Sequence, residues 1–217
     1  MKRTTLNAIL LLFLFFPLSV WAAETVKQET RQVNSFDQIN VGSAFTVYLS
    51  QGTEQSVIVE TEESYIDKIQ TDVKNGVLHI GLKNLEQTNL NLKTLRVYVT
   101  IPVIKGIEAS AATSIKMKTP VKNDGTVSFK LSGASNIDEL TLDCRKLELQ
   151  LSGASKMKLN LTGKDADIDV SGASNLTLSG KVGILNMNGS GASKIDTRNF
   201  TCDKGDVNTV GATRHRK

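Results

Sequence analysis

The tetrapeptide Ser-Gly-Ala-Ser occurs four times in this chain, at 132–135, 152–155, 171–174 and 190–193, with starts 20, 19 and 19 residues apart. Worn copies flank the series: Ser110-Ala-Ala-Thr113 lies 22 residues upstream, and Val210-Gly-Ala-Thr213 lies 20 downstream. A fixed period near 20 marks a solenoid, in which a single repeat cannot bury its own apolar face and must stack on its neighbours.

The residues around the motif say what kind of solenoid. Three positions before the first Ser stand Phe129, Leu149, Ile168 and Met187, and one position before stand Leu131, Leu151, Val170 and Gly189. Five positions after it stand Ile115, Ile137, Met157, Leu176 and Ile195. Lys130, Gln150, Asp169 and Asn188 interleave with these apolar columns, giving the period of two that belongs to strands with one buried face. A strand therefore enters each Ser-Gly-Ala-Ser, turns, and leaves through the fifth position. The Gly supplies positive φ, the Ser residues bond nearby backbone, and the Ala is small enough to point into a tight corner. Thr162-Gly-Lys164 and Ser179-Gly-Lys181 mark a second bend in the coil. Helical repeats would alternate with period 3.6, and these do not.

The expected fold is thus all-β: a single β-helix-like solenoid with coils of 19–22 residues, regular over 107–213 and less regular over 23–106. The N-terminal part would act as a cap. It holds a worn motif at Val41-Gly-Ser-Ala-Phe45 and strand-like runs at Val57–Glu60, Val77–Ile80 and Leu95–Ile101. Residues 61–74 suit a short helix with Tyr65, Ile66, Ile69 and Val73 on one side. Residues 1–22 read as a signal peptide: Lys2 and Arg3, a short apolar run from Ala8 to Leu18, and small residues before a cleavage point after Ala22. The mature product, 23–217, is expected to be exported, to the periplasm or the cell surface, with no transmembrane segment. Without Lys2 and Arg3, 24 of the 26 basic residues remain against 22 acidic ones, a balance that singles out no partner.

Phe36–Gly52, Val73–Ile80 and the repeated Ser-Gly-Ala-Ser followed by Lys or Asn and an apolar residue together resemble the head GIN domain family, labelled "putative auto-transporter adhesin". The resemblance runs from about Val33 to Thr213. It implies a bacterial exported β-solenoid with an adhesive role, and it brings no catalytic residues with it.

Read for chemistry, the chain offers little. His79 and His215 are the two histidines, and no motif places an acid beside either, so a Ser/His nucleophilic site is not indicated. Asp165, Asp167 and Asp169 alternate and would share one strand face, as carboxylates of a polysaccharide-cleaving β-helix enzyme or of a cation site would. They equally suit the polar outer face of a strand. Cys144 and Cys202 each lie 12 residues after a motif start, hence in one column three coils and roughly 14 Å apart, beyond the reach of an internal disulfide. Nucleic-acid binding is excluded by the lack of a basic stripe with interleaved aromatics. The expected function is a non-catalytic envelope or surface module without cofactor or metal, binding a glycan or an envelope protein. The candidate partner surface is the corner column Ser135, Asn136, Ser155, Lys156, Ser174, Asn175, Ser193 and Lys194. Turn chemistry alone would also demand Ser at these corners. The last coil, followed only by Arg214-His-Arg-Lys217, leaves end-to-end self-association open unless those charges deter it.

Overall fold

The computed structural model describes residues 25–83 and 92–216; the expected signal peptide lies outside the described residues. The first strands are β1 (Val26–Thr30), β2 (Gln38–Val41), β3 (Thr46–Gln51), β4 (Ser56–Glu62), β5 (Ile69–Lys74), β6 (Val77–Leu82) and β7 (Leu95–Ile101). Then follow β8 (Gly106–Ala109), β9 (Ser114–Met117), β10 (Val121–Leu131) and β11 (Asn136–Leu151). The last are β12 (Lys156–Val170), β13 (Asn175–Gly189), β14 (Lys194–Thr209) and β15 (Arg214–Arg216).

From β8 onward every pairing is parallel and in the register of the repeat, giving a β-solenoid of about 6 turns over 106–216. Leu131, Leu151, Val170 and Gly189 stack in one column, and Ile115, Ile137, Met157, Leu176 and Ile195 in another. In β12 the buried residues are Met157, Leu159 and Leu161, then Ala166, Ile168 and Val170. This switch from odd to even positions places the second corner at Lys164-Asp165, directly after Gly163, which stacks in the inward column of Cys144 and Val182.

The first corner shows why it is spelled as it is. Gly133, Gly153, Gly172 and Gly191 have φ of 67–71°. The Ala154 N–H donates to Gly133 O of the coil below at 2.7 Å, and the Ala173 N–H repeats this on Gly153 O at 2.7 Å. A Cβ on Gly153 would lie 2.6 Å from Gly133 O. Glycine is thus demanded twice, by its dihedral and by the coil beneath. The alanines, expected to point into the corner, are exposed instead. The second Ser of each motif takes the inward position; Ser155 Oγ closes its turn by donating to Ser152 O at 2.7 Å, Ser193 Oγ lies 3.2 Å from Thr213 Oγ1, and the buried Oγ atoms of Ser135 and Ser174 have no partner.

The N-terminal part also coils, but out of chain order. β2, the corner at Ser43 (φ 66°) and β3 lie in parallel on β8 and β9, and β6 and β7 lie in parallel beyond them. Antiparallel strands close the stack: β5 on β6, β4 on β7, and β1 on β4. These form the expected cap, covering edges that would otherwise recruit another strand. The expected helix over 61–74 is only a 3₁₀ segment, Glu63–Lys68. Ile69–Lys74 is strand instead, because pairing with β6 satisfies its backbone and buries Ile69 opposite Leu82. One core runs from Phe36 to Ile195 without a break.

Candidate partner surface

Of the eight residues picked from the corner, the structure buries four. Ser135, Ser155, Ser174 and Ser193 are 0–1% exposed and cannot touch a ligand, which corrects the expectation of a hydroxyl-rich corner. Their neighbours point outward by strand alternation. Asn136, Lys156, Asn175 and Lys194 form one column, rung on rung, extended by Ser114 below and Arg214 above. Parallel strands set the rungs about 4.8 Å apart. Among the described residues neither Lys156 nor Lys194 forms an ion pair, while the Asn136 amide donates to Asp138 Oδ1 at 2.6 Å. Beside this column runs the exposed Gly-Ala strip, where a ligand meets backbone and methyl groups instead of bulky side chains.

The second outer face carries the aspartates. Asp165, Asp167 and Asp169 do share one face of β12, and the last two are tied to the next coil. Asn186 Nδ2 donates to Asp167 Oδ1, and Asn188 Nδ2 to Asp169 Oδ1, both at 2.9 Å. Lys146 Nζ bridges Asp167 at 2.8 Å and Glu148 at 3.0 Å. Hydrogen bonds from Lys146 and then Asn186 hold the Asp167 carboxyl below its ordinary value against the opposing effect of burial. Such a carboxylate is a fixed acceptor and is poorly suited to donate a proton as a general acid. Among the described residues no group of three His, Cys, Asp or Glu is placed to hold a metal ion.

Sequence reading missed the reach of this face. A single outward column runs from Asp72 through His79, Asn40, Glu108, Lys130 and Gln150 to Asp169, Asn188 and Asn208. Its order in space, β5-β6-β2-β8-β10, is not chain order, so periodicity could not reveal it. Where Gly106 leaves a gap, a polar concavity of roughly 260 Å³ opens between Gln38, Asn40, His79, Glu108 and Lys130.

Two further features lie near the cap. Glu60, buried on β4, accepts from Gln28 Nε2 and Arg96 Nη1 at 2.5 Å each and from Tyr98 OH at 3.1 Å. The Gln28 amide, opposed by burial and aided by Arg96 and Tyr98, holds this carboxyl below the usual range. Tyr98 stacks on Tyr48 with centroids 4.9 Å apart, and Lys118 Nζ sits 4.7 Å from the Tyr48 centroid. Cys144, Gly163, Val182 and Cys202 fall in one column, as the repeat register requires, and both cysteines are free. Burial, with the nearby Asp143 charge, pushes the Cys144 thiol up to about 11.

A stack of parallel coils whose polar groups lie in ladders on its outer faces defines the class: this is a β-solenoid protein. Residues 35–216 match the family described as "Putative auto-transporter adhesin, head GIN domain", and the chain belongs to that family. Among solved structures it is similar to one described as "a putative adhesin" from Bacteroides fragilis, with a TM-score of 0.65 at 16% identity. That match covers 89% of this chain and 97% of the other. A second structure of the same description, from Parabacteroides merdae, has a TM-score of 0.47 at 15% identity, covering 88% and 96% of the two chains. At such identities the likeness concerns the fold. No curated protein matches the sequence.

Proposed function

We propose that the protein is an exported, non-catalytic module of the bacterial envelope or surface that binds a linear glycan, alone or on an envelope protein, along the corner column. One observation carries this reading. Asn136, Lys156, Asn175 and Lys194 alternate amide and ammonium at a regular rung spacing beside a strip poor in side chains. An extended polymer laid along the solenoid axis meets a polar donor at each repeat and the same donor type at every second one, so affinity grows with ligand length through linked weak contacts. The leader-like residues 1–22 and the adhesin name of the family support export. The hydrogen bonds that tie Asp167 to Lys146 and Asn186 suit a structural ladder better than a general acid.

The test is the mature chain on a glycan array, with hydrolysis measured in parallel. Binding without turnover is expected, weakened about tenfold or more by Lys156→Ala with Lys194→Ala, both exposed positions. Binding indifferent to that double change would sink the column as the site. Turnover of a bound glycan that disappears in Asp167→Asn would overturn the non-catalytic reading.

A further inference from the structure

The two ends of the solenoid differ. The N-terminal end turns antiparallel and finishes on the short strands β1 and β5, whereas the long β14 is covered on its outer edge only over Lys194–Asp196, where β15 pairs with it. Among the described residues nothing pairs with that edge from Arg198 to Thr209. The inward columns surface here too. Phe200 continues the column Leu142, Leu161 and Gly180, and Val207 continues Leu149, Ile168 and Met187. Both are only partly buried, beside a concavity of roughly 250 Å³ that Cys202 and Gly205 also line.

We infer that this edge is a self-recognition surface: two copies pair tail to tail, β14 against β14 antiparallel, about a two-fold axis passing between Asp203 and Lys204. The strand's own pattern selects this register. Inward positions are Phe200 and Cys202 before the corner, and Gly205 and Val207 after it. Inward side chains meet inward side chains on both arms only when the corner residues 203 and 204 face each other. Phe200 then lies opposite the partner's Val207, Cys202 opposite the partner's Gly205, and Asn199 opposite the partner's Asn208. Asp203 meets the partner's Lys204 twice, once on each side of the axis, as an isologous contact requires. A slip by two residues sets an inward position against an outward one, or one aspartate against another, and cross-strand like charges repel. The contact closes at two copies because an isologous pairing uses the same β14 edge of both chains. It also gives the unpaired N–H and C=O groups of β14 partners and covers Phe200 and Val207. The basic β15 limits the pairing, since it already occupies the edge over Lys194–Asp196.

Sedimentation of the mature chain from micromolar to millimolar concentration provides the test. A reversible monomer–dimer equilibrium is expected, with Cys202 losing reactivity toward a thiol reagent as the dimer forms. Asp203→Lys or Lys204→Asp alone places like charges across the axis and should weaken the dimer about tenfold or more. Combining Asp203→Lys with Lys204→Asp exchanges the pair and should restore dimerisation. Deletion of Arg214–Lys217 should strengthen it. Asp203 and Lys204 are exposed, and unchanged circular dichroism checks that each variant folds. A chain monomeric throughout, growth beyond dimers, or a double variant no better than the single ones would each overturn the inference.

Discussion

Replacing Gly153 with alanine probes the corner where the repeat is most tightly constrained. Gly153 sits at φ 71°, and its added Cβ would lie 2.6 Å from Gly133 O, 3.0 Å from Gly133 N and 3.2 Å from its Cα. Placing an L side chain in the left-handed region costs about 1–2 kcal/mol. The methyl must also push apart two coils of backbone, an overpacking that typically costs another 1–3 kcal/mol. It strains the 2.7 Å bond from the Ala154 N–H to Gly133 O as well. The expected loss is about 2–5 kcal/mol, read as a lower urea midpoint at an unchanged slope. Two rungs below, the fold already carries a methyl at this place. Ala111 holds the same place at φ 61°, and there Thr113 Oγ1 donates to Ser43 O at 2.8 Å. Thr113 Oγ1 also lies 2.8 Å from Ser110 O, the contact that Ser155 Oγ makes to Ser152 O. Gly81 is the control: it lies in β6, where the nearest atom to an added Cβ is Gln70 Oε1 at 4.0 Å. Alanine there should be neutral or stabilise by up to about 1 kcal/mol. A loss under about 1 kcal/mol for Gly153→Ala, or equal losses at both sites, would refute the reasoning.

The inward serines should divide by whether their hydroxyls are used. Ser155→Ala forfeits the bond to Ser152 O and should cost about 1 kcal/mol, whereas Ser174, whose buried Oγ has no partner, should tolerate alanine without loss in the same denaturation series. Glu60 ties stability to acid: its folded-state pKa lies below the ordinary glutamate value, so its contribution is fully present above that value and is lost as pH falls through the folded pKa. Glu60→Gln should therefore be less stable than the parent at neutral pH and show a shallower decline below pH 4.5; identical acid profiles would show that the carboxylate contributes nothing.

The sequence by itself determined the repeat half: its coil length, its parallel register, its corner and the column shared by Cys144 and Cys202. Each coil there is a near-copy of the last, so one alternation of apolar and polar residues is reinforced four times and a slip would turn every buried side chain outward. Only the tertiary structure decided which corner residue points inward. Ser and Ala are both small enough for the site, and the inward place falls to Ser in every copy, although its hydroxyl satisfies the turn's own carbonyl only at Ser155 and is unpartnered at Ser135 and Ser174. Only the tertiary structure, too, decided that β6 and β7 insert beyond β2 and β3, and that 69–74 is a strand. Those segments have no repeating partner in the sequence, and their positions depend on which open edge each strand fills once the others are in place. His79 shows the consequence most plainly. In the sequence it is an isolated residue on a short strand, yet in the fold it stands in the same outward column as Lys130 and Asp169, because stacking brings together rungs that the chain visits out of order.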